Sequence, residues 1–295
     1  MTLEALTKRI KTTTDLKDIV GTMKMLSSVS IAPYEKALKS LIRYGETVQD
    51  AFIGLLKKEE FTYVPRPVKS TTPQTIAIII GTDNGLVGRF NRDILTYARS
   101  DLEQRNCLIQ TNFICVGKRL GLMTESAKLP ISATYAIMNS LKEIASIASM
   151  VLMKVNDLIT ERHAEQVLIY FMQRKTGEPQ KPHVIQLMPL PYADMMRFKS
   201  EKWTGKTPPL ITADYNSLFS ALIHEYLTVV LSGALTASLA AEHYTRMVNM
   251  QQAEKNIDDS LTEMNLTYQQ LRQTGITDEL IDIVSGAESL KKKKT

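Results

Sequence analysis

The sequence predicts an α/β protein in which long helices at the two ends of the chain pair as an antiparallel coiled coil, with an α/β domain inserted between them. Met247, Met250, Ile257, Leu261, Met264, Tyr268 and Leu271 lie on one track of alternating three- and four-residue steps, with Glu254 as its polar member. A repeat of about 3.5 residues keeps one seam toward a partner helix and implies a left-handed coiled coil. A second amphipathic run opens the chain, and the middle alternates short β-branched runs with helical ones. Neither terminal helix hides its apolar stripe alone, so pairing is the simplest way to bury both.

The 295 residues have room for two modest domains, or for one domain with extended helices. An apolar fraction of 44% beside 23% charged residues is ordinary for a chain that buries a core. The net charge is +5, and Lys291 to Lys294 supply four of the 36 basic residues, so the body is close to neutral. That balance argues against a nucleic-acid binder, which shows a basic face. It leaves an acidic protein partner or an anionic membrane surface open. The first residues form no apolar h-region and carry charge from Glu4 onward, so no signal peptide is expected. No stretch approaches the roughly 20 apolar residues of a membrane span, so any link to a membrane is expected to run through a partner. Cys107 and Cys115 form no CxxC pair and read as buried or incidental thiols of a reducing compartment.

Residues from about 3 to 57 read as helix. Leu3, Leu6, Ile10 and Thr13 start a three-four spacing, and Leu16, Ile19 or Val20, Met23 and Leu26 resume it after a one-step phase shift. Pro33 predicts a kink or break, because it removes a hydrogen bond and crowds the preceding turn. Leu38, Leu41, Val48, Phe52 and Leu55 continue the pattern. Val64-Pro65-Arg66-Pro67 through Thr72-Pro73 has linker composition.

The run Thr75 to Ile80, β-branched and ended by Gly81, reads as a strand buried on both faces. Asn91 to Gln104 is a predicted helix, and Asn112 to Val116 a second strand stopped by Gly117. A helix is expected from about Tyr135 to Ile159, then strands at Gln166 to Phe171 and His183 to Leu190. This alternation predicts a mostly parallel sheet and a Rossmann-like α/β domain over 74–205. Pro189, Pro191, Pro208 and Pro209 close the region.

From Thr212 to Thr274 there is no proline and Gly233 is the lone glycine, which predicts a helix of ~60 residues, roughly 90 Å long. The domains expected are therefore an N-terminal helix over 1–60, the α/β insert, a C-terminal helix over 210–290 and a basic tail over 291–295. Gly275 is expected to end the long helix, with Thr277 as N-cap of a fresh one. Leu280, Ile281, Ile283, Val284 and Ala287 make that last segment apolar almost all round, a tip that needs a sleeve from another protein. The lysine run reads as a solvated end, with an acidic surface or lipid headgroups as the sharper alternative.

The candidate chemistry is thin. Gly81-Thr-Asp-Asn-Gly85-Leu-Val-Gly88 sits where a phosphate-cradling turn belongs, between strand and helix. The dinucleotide fingerprint needs glycine at Asp83, and the P-loop needs Gly-Lys-Ser/Thr where Gly88-Arg89-Phe90 stands. A tight connection is the simpler reading. His163, His183, His224 and His243 lie in different elements without catalytic or ligand spacing. Asp83 and Asp93, at helix starts, are explained as caps or macrodipole partners. No catalytic, cofactor or metal residue is assigned.

Four blocks give the chain a resemblance that spans nearly its full length. Ser238-Leu-Ala-Ala-Glu242-His-Tyr-Thr-Arg246-Met247-Val248-Asn-Met250 is similar to S-L-A-S-E-H-x-x-R-M-x-A-M. Leu271-Arg272-Gln273-Thr274-Gly275-Ile276-Thr277-Asp278-Glu279-Leu280, followed by Gly286-Ala287-Glu288, is similar to A-R-Q-x-x-I-T-Q-E-L and a G-A-E ending. Met23-Lys24-Met25 matches A-M-K-M, and Thr82 to Asn91 matches S-D-R-G-L-C-G-G-F-N with substitutions. These are the blocks of the gamma subunit of F-type rotary ATP synthases, which the chain resembles.

The resemblance implies a non-catalytic central-stalk rotor subunit that couples ion flow to ATP synthesis or hydrolysis. Its terminal helices would form a shaft inside a hexamer of alpha and beta subunits, with the α/β insert as a foot against the epsilon subunit and the c-ring. It implies contact with the hexamer by Arg246, Arg272, Gln273, Thr277 and Glu279, with Glu242 and Met23 beside them. It also implies a peripheral membrane protein on the cytoplasmic side of the bacterial inner membrane, touching the membrane only through partners, with no nucleic acid and no cofactor. The residues alone leave two alternatives, a nucleotide-binding α/β protein with coiled-coil arms and a coiled-coil adaptor at a membrane surface.

Overall fold

The computed structural model describes residues 2–56, 73–137, 140–174, 178–190 and 209–292, with 196–198, 200, 201, 203 and 207, and side chains as far as Ser285. The linker expected before Pro73 and the side chains of the lysine tail lie outside these residues. Helix α1 runs Leu3–Leu56 and strand β1 Thr75–Ile80, followed by α2 at Phe90–Gln104 and β2 at Thr111–Val116. Next come α3 (Lys118–Ser126), β3 (Ile131–Tyr135) and α4 (Leu141–Arg162). Strands β4 (Gln166–Gln173) and β5 (Lys181–Met188) precede the long helix α5 (Tyr215–Lys292). By packing the chain falls into two units, Ser28–Arg246 and Met1–Ser27 with Met247–Thr295.

The first unit is built on a five-stranded sheet of order β3-β2-β1-β4-β5. Strands β1, β2, β3 and β4 are parallel, and β5 is antiparallel to β4. Every residue of β1 is buried. Ile76, Ile78 and Ile80 join a core with Ile144 and Val151 of α4 and Leu231 and Leu235 of α5. Ala77 and Ile79 join the opposite core with Phe90, Ile94 and Leu120. Each fully buried isoleucine stabilises the fold by about 1.5–3 kcal/mol relative to exposure, which is why the run reads so clearly as a central strand. A third cluster forms around Phe52, whose ring stacks on Phe198 at 5.9 Å and meets Phe219 and Tyr226 edge-on.

The structure corrects several expectations here. There is no break at Pro33, because α1 is continuous with the proline inside it. The residue after it, Tyr34, is buried and stacks on His243 at 5.3 Å with the planes 19° apart. That packing offsets the roughly 3 kcal/mol that an interior proline costs. Tyr135 ends a strand, β3, and the helix expected from there begins at Leu141. Strand β3 is half-buried and only five residues long, so it carries little periodic signal. Helix α3, nine residues, was likewise too short to show. One 18-residue window of α5 has a mean hydropathy of 1.5, long and apolar enough by composition to cross a membrane. The expectation of no such stretch counted unbroken apolar runs, whereas a mean tolerates scattered polar residues. In the structure Leu231, Leu235 and Leu239 of that helix are buried in the core.

The second unit pairs the start of α1 with the end of α5. The expected track on α5 is the one that packs: Met250 and Met264 are buried, and Met247, Glu254, Ile257, Leu261, Tyr268 and Leu271 are half-buried. Lys17 reaches Asp258 at 2.6 Å and Lys24 pairs with Glu254, so lower numbers on one helix meet higher numbers on the other. The helices are antiparallel. On α1 the phase shift does not occur. Leu6, Ile10, Thr13, Lys17, Val20, Lys24 and Ser27 hold one continuous track, while Leu16, Ile19 and Leu26 are 49–64% exposed. The lysine stems cover the seam and their ammonium groups reach acids on the partner helix, a role that apolar identity alone does not reveal.

Helix α5 also does not stop at Gly275. It continues to Lys292, and Thr277 donates its hydroxyl to the carbonyl of Gln273 inside the helix rather than capping a new one. A glycine in a helix interior costs only about 1 kcal/mol, too little to end a long helix by itself.

Candidate functional site

In an α/β sheet a ligand sits beyond the carboxyl ends of the strands where the strand order reverses. Here that point lies between β1, from which the chain proceeds to β2 and β3, and β4 on the other side. The glycine-rich turn after β1 is already filled. A side chain on Gly81 would lie 2.6 Å from both Asn91 Oδ1 and Leu120 Cβ, so its glycine permits close packing of α2 and α3. Gly117, at φ +122°, brings α3 against the backbone of Thr82, 2.8 Å from where a Cβ would stand. The Thr82 N–H donates to Asn91 Oδ1 at 3.0 Å, and the Asn91 amide returns a bond to Thr82 Oγ1 at 2.9 Å. The Lys118 N–H at the start of α3 donates to Asp83 Oδ1 at 2.6 Å. Asp83 thus caps α3, and the Thr82 and Lys118 amides at this turn are already bonded to side chains.

Helix α5 meets the same end of the sheet. Arg174, which follows β4, lies 3.9 Å over the Tyr244 ring of α5. Glu242 and Arg246, one helical turn apart, are both buried and bonded to each other. Burial pushes the Glu242 carboxyl above the ordinary carboxylate range, and Arg246 only partly opposes this. Glu242 Oε2 and the Ser238 hydroxyl have no bonding partner. Beside them His243 is buried with neither ring nitrogen bonded, and burial followed by the Arg246 charge lowers its pKa to about 4. His243 is neutral at physiological pH.

The residues implied to touch other subunits thus divide in two. Glu242 and Arg246 are interior and held together. Arg272, Gln273, Thr277 and Glu279 are exposed along α5, interleaved with Ile276, Leu280, Ile283 and Val284, which are 49–68% exposed. Met23 is half-buried on α1, between the exposed Ile19 and Leu26. Sequence reasoning missed Arg174, Tyr34 and Tyr244; Arg174 and Tyr34 stand in no motif, Tyr244 falls at an unspecified position of the Ser238 to Met250 block, and only the fold brings them together. Among the described residues no group of histidine, cysteine and carboxylate side chains could hold a metal. Cys107 and Cys115 are free and buried, and burial raises the Cys115 thiol.

An α/β domain whose ligand crevice meets its own helix, combined with paired helices that expose an apolar end, defines a protein built for contact with other chains. A family profile described as ATP synthase matches residues 2–290, and the chain belongs to that family. It is similar to the ATP synthase gamma chain of Staphylococcus epidermidis, 26% identical over 296 residues that cover 98% of this chain and 99% of the relative. The gamma chain of Staphylococcus aureus strain JH9 is 25% identical over 298 residues, with the same coverage. A chain of the Euglena gracilis mitochondrial ATP synthase, in its OSCP/F1/c-ring assembly, matches with a TM-score of 0.68 at 17% identity, over 100% of this chain and 96% of that one. A chain of the Tetrahymena thermophila central stalk and c-ring matches at 0.55 and 18% identity, over 80% and 99%. At such identities the solved structures establish a shared fold.

Proposed function

We propose that this chain is the central-stalk rotor subunit of an F-type ATP synthase, mechanically coupling ion flow through the membrane ring to ATP synthesis or hydrolysis at the beta subunits. The observation that carries the reading is the antiparallel seam of α1 and α5, ion-paired at Lys17–Asp258 and Lys24–Glu254, in a chain of the ATP synthase family. The gamma-chain relatives align over nearly all of both sequences, which supports the same role for the whole chain.

The subunit itself is non-catalytic. Its partners are the alpha and beta subunits, the epsilon subunit and the c-ring, and it sits at the cytoplasmic face of a bacterial membrane through them. Arg272, Gln273, Thr277 and Glu279 make the direct polar contacts with the hexamer, with Met23 on the facing helix. A guanidinium gives planar, bidentate bonds to carboxylates that lysine does not reproduce. Glu242 and Arg246 act from the interior, fixing α5 where it crosses the sheet.

Co-expression with the alpha and beta subunits tests the assignment. The chain is expected to co-purify with them in substoichiometric amount, and Arg272→Ala to lower ATP turnover by about tenfold, the scale of one charge-assisted pair. Unchanged turnover would remove Arg272 from the contact set. Nucleotide bound by the isolated chain at Gly81 to Gly88 would favour a nucleotide-binding protein instead.

A further inference from the structure

The two helices of the first unit are fastened to the sheet mainly by apolar packing. Leu231, Leu235 and Leu239 of α5 and the partly buried Leu38 of α1 belong to the core under the sheet. Such contacts resist separation, yet the hydrophobic effect is non-directional, so no single one of them fixes the angle of a helix about its own axis. One place differs. Arg174, just past the carboxyl end of β4, donates from Nη1 to Glu35 Oε1 of α1 at 3.0 Å. Its guanidinium carbon lies 3.9 Å over the Tyr244 ring of α5. Next to it Tyr34 of α1 stacks on His243 of α5 at 5.3 Å. Tyr34 thus meets His243 directly, and Arg174 bridges the next residue of each helix, Glu35 and Tyr244.

We infer that Arg174 is a positioning residue for torque transfer, clasping α1 and α5 to the α/β domain so that the helices and the domain turn as one body. This rests on the rotor reading above. A planar guanidinium stacks on a ring through its face and bonds a carboxylate through its edge at the same time, whereas an ammonium serves as a point charge and cannot do both. The Arg174 side chain is 20% exposed and Glu35 47%, so the ring face is the better shielded of the two contacts. Arg174 Nε is buried without a partner, so the fork is held by Glu35 and Tyr244 rather than by a saturated set of bonds. The clasp is directional, and directional contacts are what slip must break.

The test uses the assembled ATP synthase in sealed vesicles, with ATP hydrolysis and ATP-driven ion pumping measured on the same preparation. Wild type comes first, and a chain that fails to assemble with alpha and beta subunits sinks the rotor reading itself. Given assembly, Arg174→Ala is expected to keep hydrolysis near wild type and to lower ions pumped per ATP by about fivefold, the scale of one shielded cation–π contact. Arg174→Lys is expected to recover less than half of that loss, because it restores the charge without the stack. Tyr244→Leu reproduces the Arg174→Ala defect, and the double variant is no worse than either alone. Tyr244→Leu leaves the arginine in place and stands in if Arg174→Ala does not fold. An unchanged pumping ratio in both variants overturns the proposal. So does full rescue by lysine, or a fall in hydrolysis and pumping by the same factor.

Discussion

Helix α5 buries itself in two different ways along its length. From Leu231 to Arg246 it is buried on nearly every side, and Ser232, Ala234, Thr236, Ala237, Ser238, Ala240 and Ala241 keep it slim enough to lie close to its neighbours. From Met247 to Leu271 it is covered only along one narrow track, made of large side chains interrupted by Glu254. The first mode is that of a domain core, which holds the helix against a sheet. The second is that of a seam, where a few knobs and ion pairs set register between two helices. One uninterrupted helix carries both, and the change occurs within a turn of Arg246.

The contrast breaks most visibly at the buried pair. Removing one partner of a buried ion pair costs about 3–5 kcal/mol, because the other is left uncompensated. Arg246→Ala is therefore expected to lower stability in urea melts by about 4 kcal/mol at neutral pH. Without Arg246 the Glu242 proton affinity rises further above its unfolded value, since burial already raises it. A raised carboxyl favours the folded state at low pH and loses that advantage as pH rises. The deficit should thus be smaller near pH 5 than near pH 8, and a pH-independent deficit would contradict the assigned burial. Next in size is a matched truncation in each mode. Leu235→Ala, fully buried, should cost about 3 kcal/mol, and Met264→Ala, on the seam track, about 2 kcal/mol. Equal losses in denaturant melts would mean that the seam is packed like a core.

A gentler effect is expected at His243, whose pKa falls from 6.5 to about 4 in the folded chain. The unfolded state then binds the extra proton, so the contribution is complete above pH 6.5 and declines as pH drops toward 4. His243→Phe, which keeps the stack on Tyr34, should flatten the wild-type slope in that interval, and an identical slope would show that His243 does not titrate there. The smallest effect belongs to the seam's ion pair. Lys24 and Glu254 are 36% and 25% exposed, so Glu254→Gln should cost about 0.5 kcal/mol after screening. That loss should vanish in about 1 M salt, where the Debye length is ~3 Å.

Legibility in the sequence followed the strength of the repeating signal. The track from Met247 to Leu271 could be read because seven-residue periodicity in large apolar side chains has one geometric solution. Strand β1 could be read because five consecutive apolar residues follow Thr75 and all six positions are buried. The facing track on α1 could not, because Thr13, Lys17, Lys24 and Ser27 occupy seam positions while Leu16, Ile19 and Leu26 face outward. Their roles depend on what the other helix presents. Pro33 and Gly275 carry strong local preferences against helix, yet both lie inside one, since packing or simple length outweighs a cost of one to about three kcal/mol. The motif blocks located Glu242 and Arg246 but not that they are interior.

The sequence by itself determined the order of elements in outline, the mostly parallel sheet, the seam on α5 and the family, because each rests on periodicity or on residues adjacent in the chain. Only the tertiary structure decided which α1 residues face that seam, that Glu242 neutralises Arg246 in the interior, and that Arg174 joins Glu35 to Tyr244. Those outcomes bring together residues up to more than two hundred positions apart, and the electrostatic balance of such a group exists only once burial has removed water from it.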